Sequence, residues 1–365
     1  MDWSKLTFKY SKTNTVVSTL YSNGEWGPIK SQKEDSFNLT VFSPSLHYGM
    51  SCFEGFKAFR GVDGKVRMFR PYENARRFQR SAAFLGIPAP DEELFVKVCT
   101  QAVAENLDFL PPYESRASLY VRPLLVTTIP SCNLVPQNDG ILFMVITMPV
   151  GAYAGANLHS IKSVIARDYD RAAPKGSGTV KISGNYAEAM FAGGEAVRLG
   201  YKDVLYLNPG EYKYIDEFSS ANFFGIKDNT YVTPLSNTVL PSITNKSLQQ
   251  IAQDLGMKME KRKVPVEELA EFEEVGQCGT AVVITPVDTI DDKEALAAAE
   301  IKRRYHYDYG QRGCGEKSEL LYKTITGIQY GELEDTHDWC LYLWYSTRSA
   351  ATTSTADTYQ EAFQQ

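Results

Sequence analysis

The chain predicts an α/β protein of two domains, and three observations carry that reading. Strand-like and helix-like runs alternate along most of its 365 residues. That length is about twice what one ordinary domain needs. A small, non-periodic segment, Gly151-Ala152-Tyr153-Ala154-Gly155-Ala156, interrupts the pattern near the middle. The expected division is residues 1–150, a linker at 151–158 and residues 159–345. The last stretch, 346–365, is rich in Ser, Thr, Ala and Gln and predicts a disordered tail.

In chain order, residues 14–70 read as short strands joined by turns. Asn23-Gly24 and Asp63-Gly64 are hairpin signals, the second between Phe56–Arg60 and Lys65–Phe69. A helix is expected over 72–85, carrying Arg76, Arg77 and Arg80, and another over 91–107 with Asp91 as its cap. Ala117–Thr128 and Gly140–Pro149 predict strands. The Pro- and Asn-containing segment between them, 129–139, is long enough to suggest a functional loop. Beyond the linker, Ser160–Ala166 is a strand, and Asn185 is expected to cap a helix ending at Leu199-Gly200. Strands are expected at Asp203–Leu207, Tyr212–Phe218 and Ala221–Lys227, with Pro209-Gly210 turning the first pair. Thr238–Leu248 leads into a helix that ends near Leu255-Gly256. A single apolar strand over Gly276–Ile290 and a helix over Lys317–Gln329 complete the pattern.

Composition narrows the function. The chain is 43% hydrophobic and 22% charged, with a net charge of −6 spread along its length. No basic stripe points to nucleic acid, and no run of about 18 apolar residues predicts a membrane span. The N-terminus lacks the apolar core of a secretory signal. The six cysteines are scattered, without CxxC or zinc spacing, and the four histidines form no metal motif. Reduced thiols in a cytoplasmic protein are expected, with no metal.

The chemistry is concentrated in Lys175-Gly176-Ser177-Gly178-Thr179-Val180-Lys181-Ile182-Ser183-Gly184-Asn185-Tyr186. Small residues allow backbone to pass close to a ligand. A lysine in such a corridor can present its amine to a carbonyl compound, as a Schiff-base lysine must. Lys175, beside Pro174, is the competing amine. The segment is not a phosphate-binding P-loop, because Ile182 stands where a magnesium hydroxyl is required. Ser242-Ile243-Thr244 opens a helix whose N-terminus could receive a phosphate, although hydroxyl caps are common. Asp216-Glu217 places two carboxylates in a strand-like run. One would face inward if the other faces out, and a buried acid could keep a heteroaromatic nitrogen protonated.

These features fall in an ordered set. Tyr48-Gly49 stands with Cys52-Phe53-Glu54-Gly55-Phe56-Lys57-Ala58-Phe59, followed by Phe69-Arg70-Pro71 with Asn74 and Arg77. Tyr120-Val121-Arg122-Pro123, Gly176–Ala187, Glu217 through Asn222, Leu240–Leu248 and Gly279-Thr280-Ala281 come next. With them the chain resembles the branched-chain amino acid aminotransferases, pyridoxal-phosphate enzymes of the two-domain D-amino-acid-aminotransferase-like fold (fold type IV). The resemblance runs from about residue 3 to Leu343. It implies that Lys181 binds pyridoxal 5′-phosphate as a Schiff base, that Glu217 pairs with the pyridine nitrogen and that Tyr186 bonds the phenolic oxygen. It also implies that Arg77, the amides of Ile243 and Thr244, and Thr280 hold the phosphate. The amides at Thr280 and Ala281 would receive the substrate carboxylate, with Ser220 nearby. Tyr48, Phe53, Tyr120 and Tyr153 would line the side-chain pocket, with Arg122 at its rim. The implied reaction is transamination of L-leucine, L-isoleucine and L-valine with 2-oxoglutarate. A D-amino-acid aminotransferase or aminodeoxychorismate lyase of the same fold would share Lys181 and Glu217. The resemblance further implies a homodimer in which the 129–139 loop, at Val135, reaches a neighbouring pocket. Val282 and Thr285 stand where mammalian members carry a CxxC pair, so thiol switching is not expected there.

Overall fold

A computed structural model describes residues 2–151 and 158–343. The expected tail, most of the linker and Tyr153 lie outside the described residues.

The first half builds β1 (Val16–Ser22), β2 (Glu25–Trp26), β3 (Lys30–Gln32), α1 (Pro44–Tyr48), β4 (Ser51–Phe53), β5 (Phe56–Arg60), β6 (Val66–Phe69), α2 (Pro71–Leu85), α3 (Glu92–Glu105), β7 (Ser118–Thr127) and β8 (Ile141–Val150). Asp91 caps α3 as expected, its carboxylate accepting from the Leu94 N–H at 2.7 Å. The Asp63-Gly64 signal is the β5–β6 hairpin. α2 and α3 cover one face of the sheet, where Phe78 and Phe95 meet Phe143 of β8. The missed element is α1, five residues opened by Ser43-Pro44 and closed by Gly49 in a left-handed conformation.

The second half builds β9 (Ile161–Ala166), α4 (Gly184–Arg198), β10 (Asp203–Leu207), β11 (Ile215–Phe218), β12 (Asn222–Lys227), β13 (Thr230–Pro234), α5 (Ile243–Asp254), β14 (Lys258–Arg262), β15 (Glu274–Gly279), β16 (Val283–Asp292), β17 (Arg303–His306), α6 (Glu316–Tyr330) and β18 (Cys340–Leu343). Its sheet runs β11-β10-β9-β16-β15-β12-β13-β14, and β11 also pairs with β12, so six strands close into a ring. α5 and α6 pack outside it around Leu248, Ile251, Leu321 and Ile325. Phe59 and Phe69 of the first sheet belong to the same core. The two halves therefore share buried apolar surface, each such side chain worth about 1.5–3 kcal/mol.

Three expectations are corrected. The single strand over 276–290 is a hairpin, β15 and β16 pairing Gly279 with Val283 around a turn at 280–282. Continuous apolar character hid the turn, since it contains only one polar residue, Thr280. Asn185 does not cap α4. It lies inside the helix, and its amide reaches back to the carbonyls of Ser177 (2.8 Å) and Val180 (2.9 Å). β18, which the pattern did not show, pairs with β6 of the first sheet.

Candidate active site

Alternation explains how Lys181 is aimed. In extended backbone, neighbouring side chains point to opposite sides. Val180 and Ile182 enter the core of the first half, so Lys181 between them turns away from it. The backbone around it is pinned to β4: Ile182 bridges Cys52, the Phe53 N–H donates to the Lys181 carbonyl at 3.1 Å, and Ser51 Oγ lies 2.7 Å from Ser183 Oγ. The Lys181 N–H donates to Ser81 Oγ on α2 at 2.9 Å. Gly178 passes so close to Thr238 that a Cβ there would collide with its backbone. The glycine corridor is therefore a requirement of close approach.

The Lys181 amine donates to the Tyr186 hydroxyl at 2.7 Å and lies 4.9 Å from the centre of the Phe53 ring. Tyr186 sits on the first turn of α4, five residues on, which brings its phenol back over the lysine. Phe53 stacks tilted on Tyr186, with ring centres 4.9 Å apart. The Arg122 guanidinium covers Phe53 at 4.6 Å, and its Nε donates to the Tyr120 hydroxyl at 3.0 Å. Five of the expected residues thus form one cluster.

Both carboxylates of Asp216-Glu217 are buried, which corrects the expectation that one faces out. Asp216 accepts from Thr238 on one side of β11. On the other, Glu217 Oε1 lies 2.7 Å from Arg171 Nη2 and accepts from the Leu240 N–H at 2.9 Å; Oε2 accepts from Asn222 at 2.9 Å. Burial raises Glu217 to about 7, and Arg171 offsets this only in part. A poised acid of this kind is the donor set that a protonatable ring nitrogen needs.

Arg77 is buried on α2 and makes a forked pair with Glu54, Nε to Oε1 at 2.6 Å and Nη2 to Oε2 at 2.8 Å. Asn74 and the Gly55 N–H complete the shell of Glu54. Burial opposes ionisation of Glu54, but Arg77 outweighs it and holds the carboxyl below its usual range. The remaining Arg77 nitrogen, Nη1, donates to the Pro241 carbonyl at 3.0 Å, which brings it to the start of α5. There Ser242 Oγ takes the N–H of Asn245 at 3.2 Å. Ile243 and Thr244, the first two helical residues, keep N–H groups that the helix itself cannot satisfy. Both residues line one cleft with Asn74 and Thr280. An arginine beside free amides at a helix N-terminus could hold a phosphate, so this half of the site fits pyridoxal phosphate as the Lys181 half does.

The 280–282 turn meets β5. Thr280 Oγ1 donates to the Gly55 carbonyl at 3.1 Å, and Lys57 Nζ to the Ala281 carbonyl at 2.9 Å. Ser220 lies in the adjoining β11–β12 turn, exposed, its backbone beside Gly279. Tyr48 is not brought to the Phe53 cluster. It is 45% exposed and donates to the Cys132 carbonyl in the 129–139 loop, where Val135 is 64% exposed.

The residues alone did not mark Arg171 or Ser81, and gave Asn185 only as a helix cap. Arg171 sits in a polar loop, Asp168-Tyr169-Asp170-Arg171, with nothing local to mark it. Nor did the residues alone mark Phe8, whose ring packs edge-on against Tyr120 at 4.8 Å. Glu54 and Lys57 had a usable signal: two charges set within the apolar run Cys52–Phe59 must be buried or functional.

Arg77, Lys181, Tyr186, Glu217 and the start of α5 all lie within residues 51–290, the stretch that one family model matches. The family model described as Amino-transferase class IV matches residues 51–290, and the chain belongs to that family. Among its relatives, the branched-chain-amino-acid aminotransferase of Helicobacter pylori (strain J99) is 40% identical over 342 residues, covering 93% of this chain and 97% of that one. The enzyme of the same name from Haemophilus influenzae is 39% identical, over 93% and 98%. Among solved structures, the Escherichia coli branched-chain amino acid aminotransferase superposes with a TM-score of 0.74 at 25% identity, covering 90% of this chain and 99% of that one. A T.th. branched-chain amino acid aminotransferase, solved with pyridoxamine 5′-phosphate, gives 0.74 at 26% identity, over 91% and 99%.

Proposed function

We propose that the chain is a pyridoxal 5′-phosphate-dependent aminotransferase that moves the amino group of L-leucine, L-isoleucine or L-valine to 2-oxoglutarate. The products are a branched 2-oxo acid and L-glutamate. The observation that carries this reading is the Lys181–Tyr186 contact, set in a site that also holds a buried Glu217 and the Arg77 cradle. Lys181 would hold the cofactor aldehyde, Glu217 its ring nitrogen, and Tyr186 its phenolic oxygen. Arg77, Thr280 and the amides of Ile243 and Thr244 would hold its phosphate. When bound, the cofactor supplies an electron sink for charge developing at the amino-acid Cα.

The protein's own part is to position groups and move protons. The Lys181 amine would take the Cα proton as general base. Tyr186, 2.7 Å away, fixes the direction of that amine. The amides at Thr280 and Ala281, near Ser220, receive the α-carboxylate. Phe53 and Tyr120 give branched chains an apolar wall, each buried methylene worth about 0.8 kcal/mol. Arg122 receives the γ-carboxylate of glutamate through its fork of donors.

The same reading makes the protein a cytoplasmic homodimer with the cofactor between its two domains, 1–150 and 159–345. Exposed Leu134 and Val135 lie on the 129–139 loop that would reach the partner's pocket, and Tyr48 of α1 bonds to that loop at the Cys132 carbonyl. Among the described residues, no helix is long and apolar enough to cross a membrane.

An absorption spectrum tests the function. A yellow protein that bleaches on L-leucine and recovers on 2-oxoglutarate is expected, and borohydride should attach the cofactor to Lys181. Turnover of D-alanine alone, or a Lys181→Ala variant that keeps the covalent adduct, would defeat the reading.

A further inference from the structure

No role above uses Ser81, yet its hydroxyl makes two contacts in a buried place. Ser81 sits on α2 and is 0% exposed. A serine hydroxyl has one proton to donate and lone pairs to accept with. Its proton goes to the Arg77 carbonyl, one helical turn earlier, at 3.0 Å. Such a back bond is common inside helices. The second contact is not local: the Lys181 N–H donates to Ser81 Oγ at 2.9 Å, across 100 positions of sequence. Because the first bond spends the one proton, a lone pair is what meets Lys181. Solvent does not reach Ser81 to replace either bond.

The two partners of this hydroxyl belong to the two ends of the site. Arg77 is tied twice: its carbonyl accepts from Ser81, and its Nη1 donates to the Pro241 carbonyl at the start of α5. Lys181 is tied twice as well: its carbonyl accepts from the Phe53 N–H, and its own N–H donates to Ser81. One turn of α2, a rise of about 5.4 Å in hydrogen-bonded helix, therefore separates the main chain of the reactive lysine from the arginine of the phosphate site. A ligand gripped by an aldehyde at one end and a phosphate at the other has a fixed length, so this separation must match it. The two ends depend on Ser81 unequally. Without it, Arg77 keeps its Glu54 fork and its Pro241 bond. Lys181 keeps its bond to β4, but its N–H loses its acceptor.

We infer that Ser81 is a positioning residue. It spaces the main chain of Lys181 from the Arg77 phosphate site, so that one ligand can be bonded to the lysine and held by the arginine at the same time. This rests on the reading that Lys181 attaches the aldehyde of pyridoxal 5′-phosphate.

The test compares pyridoxal 5′-phosphate with 4-deoxypyridoxine 5′-phosphate as ligands of the cofactor-free protein, by equilibrium dialysis. Both carry the ring and the phosphate, but only the first has an aldehyde for Lys181. Wild type is expected to bind the aldehyde at least about a hundredfold more tightly, since a covalent link adds to contacts that the two ligands share. In Ser81→Ala that preference falls about tenfold, the scale of one lost hydrogen bond that leaves its donor unpaired. Affinity for the deoxy compound stays within about twofold of wild type, because the Arg77 site does not need Ser81. Ser81→Cys, which fills the same space with a weaker acceptor, serves if Ser81→Ala does not fold, and the same aldehyde-selective loss is expected. Equal weakening of both ligands, or an unchanged preference, would overturn the role of Ser81. A wild type that does not prefer the aldehyde would instead defeat the reading of Lys181.

Discussion

Arg171 Nη2 lies 2.7 Å from Glu217 Oε1, and the same nitrogen donates to the carbonyls of Gly178 and Thr238. One guanidinium thus ties the buried acid to the corridor that carries Lys181. Arg171 is 9% exposed and Glu217 3%, so neither charge is replaced by solvent when its partner is removed.

The first prediction follows from that pair. Arg171→Met should destabilise the protein by about 3–5 kcal/mol, the range for leaving one member of a buried pair unpaired. It should also push Glu217 further above about 7, since Arg171 is what opposes its burial. Thermal melting and the pH dependence of the visible band check both. A variant that melts and titrates like wild type would refute the assignment.

A second prediction concerns pH and the cofactor. The carboxyl of Glu217 moves from 4.5 when unfolded to about 7 in the fold. Between those values the folded state binds more protons than the unfolded one, so stability from this group is present below pH 4.5 and is lost as pH rises through 7. A cationic ring nitrogen would lower the folded value and remove the loss. Cofactor-free protein should therefore lose about 1–3 kcal/mol relative to the loaded form between about pH 5 and 8. Paired melting curves across that range measure it, and Glu217→Gln should flatten the difference.

The corridor makes a third prediction. Gly178→Ala sets a methyl against the Thr238 backbone and should cost about 1–3 kcal/mol as overpacking does. Asn185→Ala leaves the Ser177 and Val180 carbonyls without their donor and should cost a similar amount, about 1–3 kcal/mol. Both should lower cofactor occupancy, read as absorbance per mole of protein. Gly176→Ala would meet only the nearby Ala173 and should be milder.

Arg122 provides the fourth. Its guanidinium lies over Phe53 and bonds Tyr120. Arg122→Met keeps an apolar cover but loses the fork of donors. KM for 2-oxoglutarate should rise about tenfold or more, the scale of a lost charge-assisted pair, while KM for L-leucine changes little. Steady-state kinetics in both half-reactions decide it; equal losses would mean that Arg122 only supports packing.

Some of this was legible before any fold. Lys181 stood out because the small residues that flank it are a local property of the chain. The helices 71–85 and 92–105 and the Asp91 cap were also local, since propensity, periodicity and capping act within a few residues. Misreadings arose where local signals were ambiguous. Asn185 has a capping residue's chemistry but spends it on a neighbouring loop. The 280–282 turn is too apolar to announce itself.

By itself, then, the sequence determined the longer helices, many of the strands, the glycine-flanked lysine and the acidic pair, because those depend on short-range pattern and residue chemistry. Only the tertiary structure decided that both Asp216 and Glu217 are buried, that Arg171 serves Glu217, that Glu54 forks with Arg77, and that Lys57 reaches the 280–282 turn. Each of these joins residues 23 to 224 positions apart, or buries a charge whose cost is set by what surrounds it. Such pairings depend on how two sheets meet, which no local window of residues contains.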